Sequence, residues 1–213
     1  MARSELEKSG LEKSGLEKSG LEKPINLVIC PGYHDSQWTT DFCQGLLTPW
    51  TLTHPSPRLW VVPVPPALPF SPCHLLHWLK TQGLQPTTAP ALAFIAFSAG
   101  VVGAMAAAQI WHRQGGGVQA FCALDGWGVP VGGGFPIHRL SHDFFTHWSS
   151  ALLGTGSLNF YADPPVSHAD LWQQPQGVGG WACDRRSSPN SSPQYLSAAQ
   201  FLYQVLSPTV ATL

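Results

Sequence analysis

Residues 91–111 read ALAFIAFSAGVVGAMAAAQIW. No charged residue interrupts them, and their length approaches the roughly 20 apolar residues of a membrane-spanning helix. Two features argue for a different reading. Ser98, Gly100, Gly103 and Gln109 break the run, and its composition changes in the middle. Ala91–Phe97 carries Phe94, Ile95 and Phe97, residue types that favour a strand. Val101–Ile110 is rich in alanine and favours a helix. A buried strand, a sharp turn at Ser98 and a buried helix account for both halves.

The flanking sequence repeats this alternation. Ile25–Cys30 is a short continuous apolar run, as in a buried parallel strand, and Pro31-Gly32 turns the chain after it. Ser36 is placed to cap a helix to about Leu47. Leu59–Val64 is a second strand. Ser71-Pro72 opens a helix in the favoured order of cap then proline, and Gly83 ends it after Gln82. Gly115–Gly117 breaks the chain before a fourth strand, Val118–Leu124. Residues 128–138 hold four Gly and two Pro and read as loop. Leu140–Leu153 reads as helix, Ser157–Ala162 as a fifth strand, Gln173–Pro193 as an irregular segment and Tyr195–Leu206 as a closing helix. The expected architecture is α/β: a three-layer sandwich around a mostly parallel sheet of about five or six strands, in one domain over 24–213.

Residues 1–23 stand apart. Four pentads, one of Ser-Glu-Leu-Glu-Lys and three of Ser-Gly-Leu-Glu-Lys, place their leucines about 140° apart around a helix, so no apolar stripe forms. The segment is expected to be a disordered tail or an addition to the chain. Of the 11 basic and 12 acidic side chains, five of each fall here, leaving six and seven for the other 190 residues. Near-neutral charge gives no reason to bind nucleic acid. A surface so poor in charge favours a homo-oligomer or a membrane-surface association, or is kept soluble by uncharged polar residues. The charged N-terminus has no apolar signal core. The five cysteines (Cys30, Cys43, Cys73, Cys122, Cys183) are odd in number and form no Cys-x-x-Cys pair. A reducing, cytoplasmic setting without a disulfide framework or cysteine zinc site is expected.

Ligands of a parallel sheet bind beyond the C-terminal strand ends. Those ends, Pro31–Ser36, Val64–Pro69, Ser98-Ala99, Asp125–Gly128 and Asp163–His168, carry groups for nucleophilic acyl transfer. In Ala96-Phe97-Ser98-Ala99-Gly100, small residues two before and two after the serine suit a crowded strand-to-helix turn that lifts the hydroxyl off the sheet. A helix N-terminus below it favours developing negative charge.

These residues resemble the α/β-hydrolase superfamily, especially small members without a large cap domain. The 96–100 segment is similar to the nucleophile elbow, with Ala for the first Gly. Residues 25–36, INLVICPGYHDS, resemble the strand and loop that donate to the oxyanion. The order Ser98, Asp125, His168 follows the family order of nucleophile, acid and base. The resemblance implies a serine hydrolase acting on an ester or thioester, a small-molecule or lipid acyl compound, without a cofactor. Ser98 would attack, His168 would carry the proton and Asp125 would orient the imidazole. The oxyanion donors would be Ala99 and Tyr33 or His34. The acid follows the strand immediately after the elbow helix, where the family more often places it one strand later, which leaves Asp163 as an alternative.

A histidine cluster, His138, His142 and His147, offers alternative bases. His138 and His142 have the i, i+4 spacing of a helix-borne metal pair, but no Glu follows the first histidine, so no metal is assigned. Trp127, Phe135 and Trp148 are candidate walls of an acyl pocket, and Gly128–Gly156 a candidate partial cap. No phosphate-binding loop or complete dinucleotide fingerprint is present, and Lys80 is the body's only lysine. The competing readings are a non-catalytic binding or assembly protein on the same fold and a membrane-peripheral lipid hydrolase.

Overall fold

The computed structural model describes residues 24–52, 55–63, 70–184 and 193–207. The expected tail and the strand end at Val64–Pro69 lie outside the described residues. In chain order the elements are β1 (Asn26–Cys30), α1 (Ser36–Trp50), β2 (Arg58–Val61), α2 (Pro72–Thr81), β3 (Leu92–Phe97), α3 (Gly100–Arg113), β4 (Val118–Leu124), β5 (Ile137–Ser141), α4 (Phe144–Ala151), β6 (Leu158–Ala162), α5 (His168–Gln173), β7 (Gly179–Asp184), β8 (Gln194–Ser197) and α6 (Ala198–Leu206).

The strands form one sheet in the order β2-β1-β3-β4-β5-β6-β7-β8. The first six are mutually parallel, and β7 and β8 are antiparallel additions at one edge. Alternation along the central strands divides the core. Leu27 and Ile29, Ile95 and Phe97, and Cys122 and Leu124 face a layer with Phe42 and Leu46 of α1 and Phe201 and Leu202 of α6. Val28, Phe94 and Phe121 face the other layer, with Leu79 of α2 and Trp111 of α3. Strands buried on both faces read as continuous apolar runs, which is why β1, β3 and β4 were visible in the sequence.

The sheet has eight strands, not five or six. The additional ones are β5, inside the segments read as loop 128–138 and helix 140–153, β7, inside the segment read as irregular, and β8, at the start of the segment read as the closing helix. β5 was concealed because its buried side chains include His138 and Arg139. β7 begins Gly179-Gly180, which looks like a break. Yet a Cβ on Gly180 would stand 2.7 Å from the Phe160 ring and 2.9 Å from Ala162 Cα, so here glycine permits close strand pairing. In β8, Ser197 both ends the strand and caps α6. No helix among the described residues is long and apolar enough to cross a membrane.

Candidate active site

Ser98 follows β3 directly and precedes α3. Its φ is 54°, a left-handed conformation that is uncommon outside glycine, and its N–H donates to Leu124 O at 2.9 Å. The local sequence makes this bend possible. A Cβ on Gly100 would collide with the carbonyl oxygen of Pro31 and lie 2.6 Å from that of Cys30. A Cβ on Gly32 would lie 2.9 Å from Phe97 O and 3.0 Å from Ser98 Cβ. The two glycines let the β1 loop close against the turn. Among the described residues Ser98 Oγ makes no hydrogen bond.

Asp125 occupies the corresponding place at the end of β4, and it too is left-handed, with φ 49°. Its carboxylate is buried and accepts three hydrogen bonds. Oδ1 accepts the backbone N–H of His142 at 2.9 Å, and Oδ2 is shared by Nδ1 of His142 at 2.9 Å and Nδ1 of His168 at 2.8 Å. Burial pushes the carboxyl up, but the hydrogen bonds from His142 and His168 outweigh it and hold Asp125 below the usual carboxylate range.

His168 is the first residue of α5, whose start is fixed by a reciprocal capping pair of Ser167 and Asp170. Its ring lies on Phe97 at 4.5 Å between centroids, and Phe97 in turn stacks on Trp172 at 4.9 Å. A ring that gives its Nδ1–H to Asp125 keeps Nε2 as a proton acceptor. Ser98, Asp125 and His168 line one cavity of about 390 Å³, with Ala99, Trp127 and Phe145 among its walls.

His142 follows β5, so its relation to His138 is that of strand neighbours and not of a helix face. Its Nδ1 meets Asp125, and its Nε2 lies 3.3 Å from Asp143 Oδ2. The Asp125 hydrogen bond raises its pKa, burial opposes this, and the charges of Asp125 and Asp143 reinforce the rise. Asp143 is anchored as the cap of α4 through Thr146 N–H.

Asp125, His142 and His168 have the composition of a metal triad. Their spacing is that of hydrogen bonds: donors on a tetrahedral zinc, bonded at about 2.05 Å, stand about 3.3 Å apart. Both imidazole-to-carboxylate separations are shorter.

The other candidates fall elsewhere. Asp163 accepts the Trp181 indole N–H at 2.8 Å and does not partner His168. His138 and His147 are buried, beside Phe201 and Tyr161 respectively. Phe135 belongs to the α2–α3 core and not to the cavity wall. The 128–156 segment is no continuous cap, since β5 runs through the sheet in its middle. Ala99 stands at the N-terminus of α3. Tyr33 and His34 lie in the β1 loop beside Ser98; the His34 ring bonds Thr39 Oγ1 at 2.9 Å and stacks on Trp38. Burial lowers the His34 pKa, and nearby His168 lowers it further.

Two features were not anticipated. His142 joins Asp125 because β5 ends beside β4, a strand the sequence hid. Arg139, also on β5, is buried and donates to the carbonyls of Val129 and Gly154 at 3.0 and 2.8 Å. Burial pushes it down to about 10, so it stays charged at neutral pH. A second cavity, about 820 Å³, runs between α1 and β2 and is lined at one end by Gly32, Tyr33 and His34. It is the larger of the two; Ser98, Asp125 and His168 line the smaller one.

No disulfide forms among the described residues, and burial pushes Cys43 up to about 11 and raises Cys30 and Cys122 beyond it. No protein-family model, curated protein or solved structure matches the chain significantly.

Proposed function

We propose that the chain is a serine hydrolase of the α/β-hydrolase type that cleaves an ester or thioester. The observation that carries the reading is the left-handed Ser98 at a strand-to-helix turn, in one cavity with an imidazole whose Nδ1 is held by a buried carboxylate. In this reading Ser98 Oγ attacks the acyl carbon while its proton passes to His168 Nε2. The carbonyl oxygen becomes an oxyanion held by the N–H of Ala99 and an N–H of the Tyr33–His34 loop. The intermediate then collapses: the bond to the leaving group breaks, and His168 returns the proton to it. Water repeats the sequence on the acyl-enzyme and frees the acid. Asp125 fixes the tautomer, Phe97 supports the imidazolium face, and no cofactor is needed.

Incubation with a p-nitrophenyl ester tests this. The expected result is a burst of nitrophenol of about one equivalent followed by slower turnover, with Ser98→Ala reduced at least about a thousandfold. Equal rates for wild type and Ser98→Ala would refute it.

One observation favours a second reading. Ser98 Oγ has no hydrogen bond to His168, as expected of a non-catalytic binding protein on this fold. Serine–imidazole pairs without substrate are often loose, so the hydrolytic reading is retained.

A further inference from the structure

Helix α4 is built inside out. Its buried residues are Thr146, His147 and Ser150, all polar, while Phe144, Phe145 and Trp148 point to solvent, followed by Leu152. At 100° per residue these four apolar side chains occupy a stripe about 100° wide. Surface helices of a monomer normally turn such a stripe inward. Together with Trp127 they make five of the eight large apolar side chains more than half exposed among the described residues, so the exposure is concentrated and not scattered.

The platform is held in place. The Trp127 indole N–H donates to Ser149 Oγ at 3.1 Å, tying the loop after β4 to α4. Beneath them, the Arg139 guanidinium binds Val129 O on one loop and Gly154 O on the other, and Val131 N–H donates to Leu153 O at 2.9 Å. A buried cation thus fastens two loops whose outer surface is apolar.

Position and charge indicate what covers it. Trp127 and Phe145 belong both to this platform and to the Ser98 cavity, so the cavity opens within the apolar face. A protein partner or second copy on that face would close the opening; a lipid layer would supply it. Asp35, Asp143, Asp163 and Asp170 follow β1, β5 and β6 at the same edge of the sheet. Arg58 begins β2 at the opposite edge, and Lys80 and Arg113 end helices that return there. With Arg139 buried and no exposed Lys or Arg among the described residues at this edge, nothing there selects anionic lipid, and aromatic side chains suit the boundary of an uncharged one.

We propose that α4 and the Trp127 loop form a docking platform for neutral or zwitterionic lipid, from which a lipid ester enters the Ser98 cavity. The choice of ester rests on the hydrolase reading; the docking does not.

The test is co-sedimentation of the full chain with phosphatidylcholine vesicles and with vesicles containing added phosphatidylglycerol, alongside sedimentation velocity without lipid. The expected result is a monomer that pellets with phosphatidylcholine and gains nothing from phosphatidylglycerol. The Phe144→Ser/Leu152→Ser double variant, and separately Phe144→Ser, should partition at least about tenfold less, with hydrolysis of a soluble short-chain ester within about twofold of wild type. Wild type left in the supernatant, variants that pellet equally, or a dimer that the variants dissociate would each overturn the proposal. If Ser98 is acylated in solution but vesicles are not bound, docking fails and the hydrolase reading stands. If vesicles are bound but no ester is cleaved, the hydrolase reading and the ester substrate both fail.

Discussion

The ends of β3 and β4 lie side by side, and each places a non-glycine residue in the left-handed region, yet the two corners are opposites. At Ser98 the bend presents a half-buried hydroxyl without a hydrogen-bond partner among the described residues. At Asp125 it presents a buried carboxylate that accepts three hydrogen bonds. A short polar side chain tolerates this conformation better at Asp than at Ser. One corner therefore holds a reactive group free at some conformational cost, and the other holds its partner immobile. In the proposed hydrolase that division would serve proton transfer, because the carboxylate would orient the His168 base while the serine reaches the substrate.

The comparison breaks most severely at the rigid corner. Asp125→Asn should lower kcat/KM for a p-nitrophenyl ester by about ten-thousandfold, because an amide can favour the wrong imidazole tautomer. Asp163→Asn, which disturbs only the Trp181 contact, should stay within about threefold. Comparable losses in both variants would move the acid to Asp163.

His142 touches the rigid corner alone. His142→Asn should cost roughly tenfold in kcat, about the worth of one hydrogen bond to a charged group. Its pKa is raised in the folded protein, so its contribution to stability is complete below the unfolded imidazole value near 6.5 and is lost as pH rises through the folded value. Asp125, held low, gives stability that is present above the unfolded carboxyl value near 3.9 and is lost as pH falls through the folded one. Urea midpoints measured from pH 4 to 9 should fall on the alkaline side in wild type. That fall should be reduced in His142→Asn; an identical alkaline slope would remove His142 from the account.

The smallest effect is expected at the free corner. Ser98→Gly should be neutral or more stable by about 0.5 kcal/mol, since relief of the left-handed strain exceeds the added freedom of the unfolded chain. Asp125→Gly should instead be destabilised by about 3 kcal/mol, because it removes the anion that both imidazoles share. Equal destabilisation of the two variants, measured by urea unfolding, would erase the distinction between the corners.

What could be read in advance follows the same physics. Strands buried on both faces announce themselves as apolar runs, so β1, β3 and β4, and with them the positions of Ser98 and Asp125, were legible. β5 was not, because Arg139 satisfies its charge on carbonyls of the two flanking loops, 10 and 15 residues away, a device that leaves a buried strand looking polar. With β5 unseen, His142 was placed on a helix and its meeting with Asp125 could not be inferred. His168 was recognisable only through the order of residues implied by the family resemblance. Its pairing with Asp125 over Asp163 depends on which strand ends adjoin, and that is a property of the sheet.

In the proposed hydrolase the Ser98 hydroxyl is the group that the neighbouring corner activates. Treating the protein with a fluorophosphonate and mapping the adduct by peptide mass spectrometry tests it most directly. The expected result is one equivalent of adduct, confined to the peptide containing Ser98, absent in Ser98→Ala and formed at least about a hundredfold more slowly in His168→Ala. An unmodified protein, an adduct on another residue, or a rate unaffected by loss of His168 would contradict it.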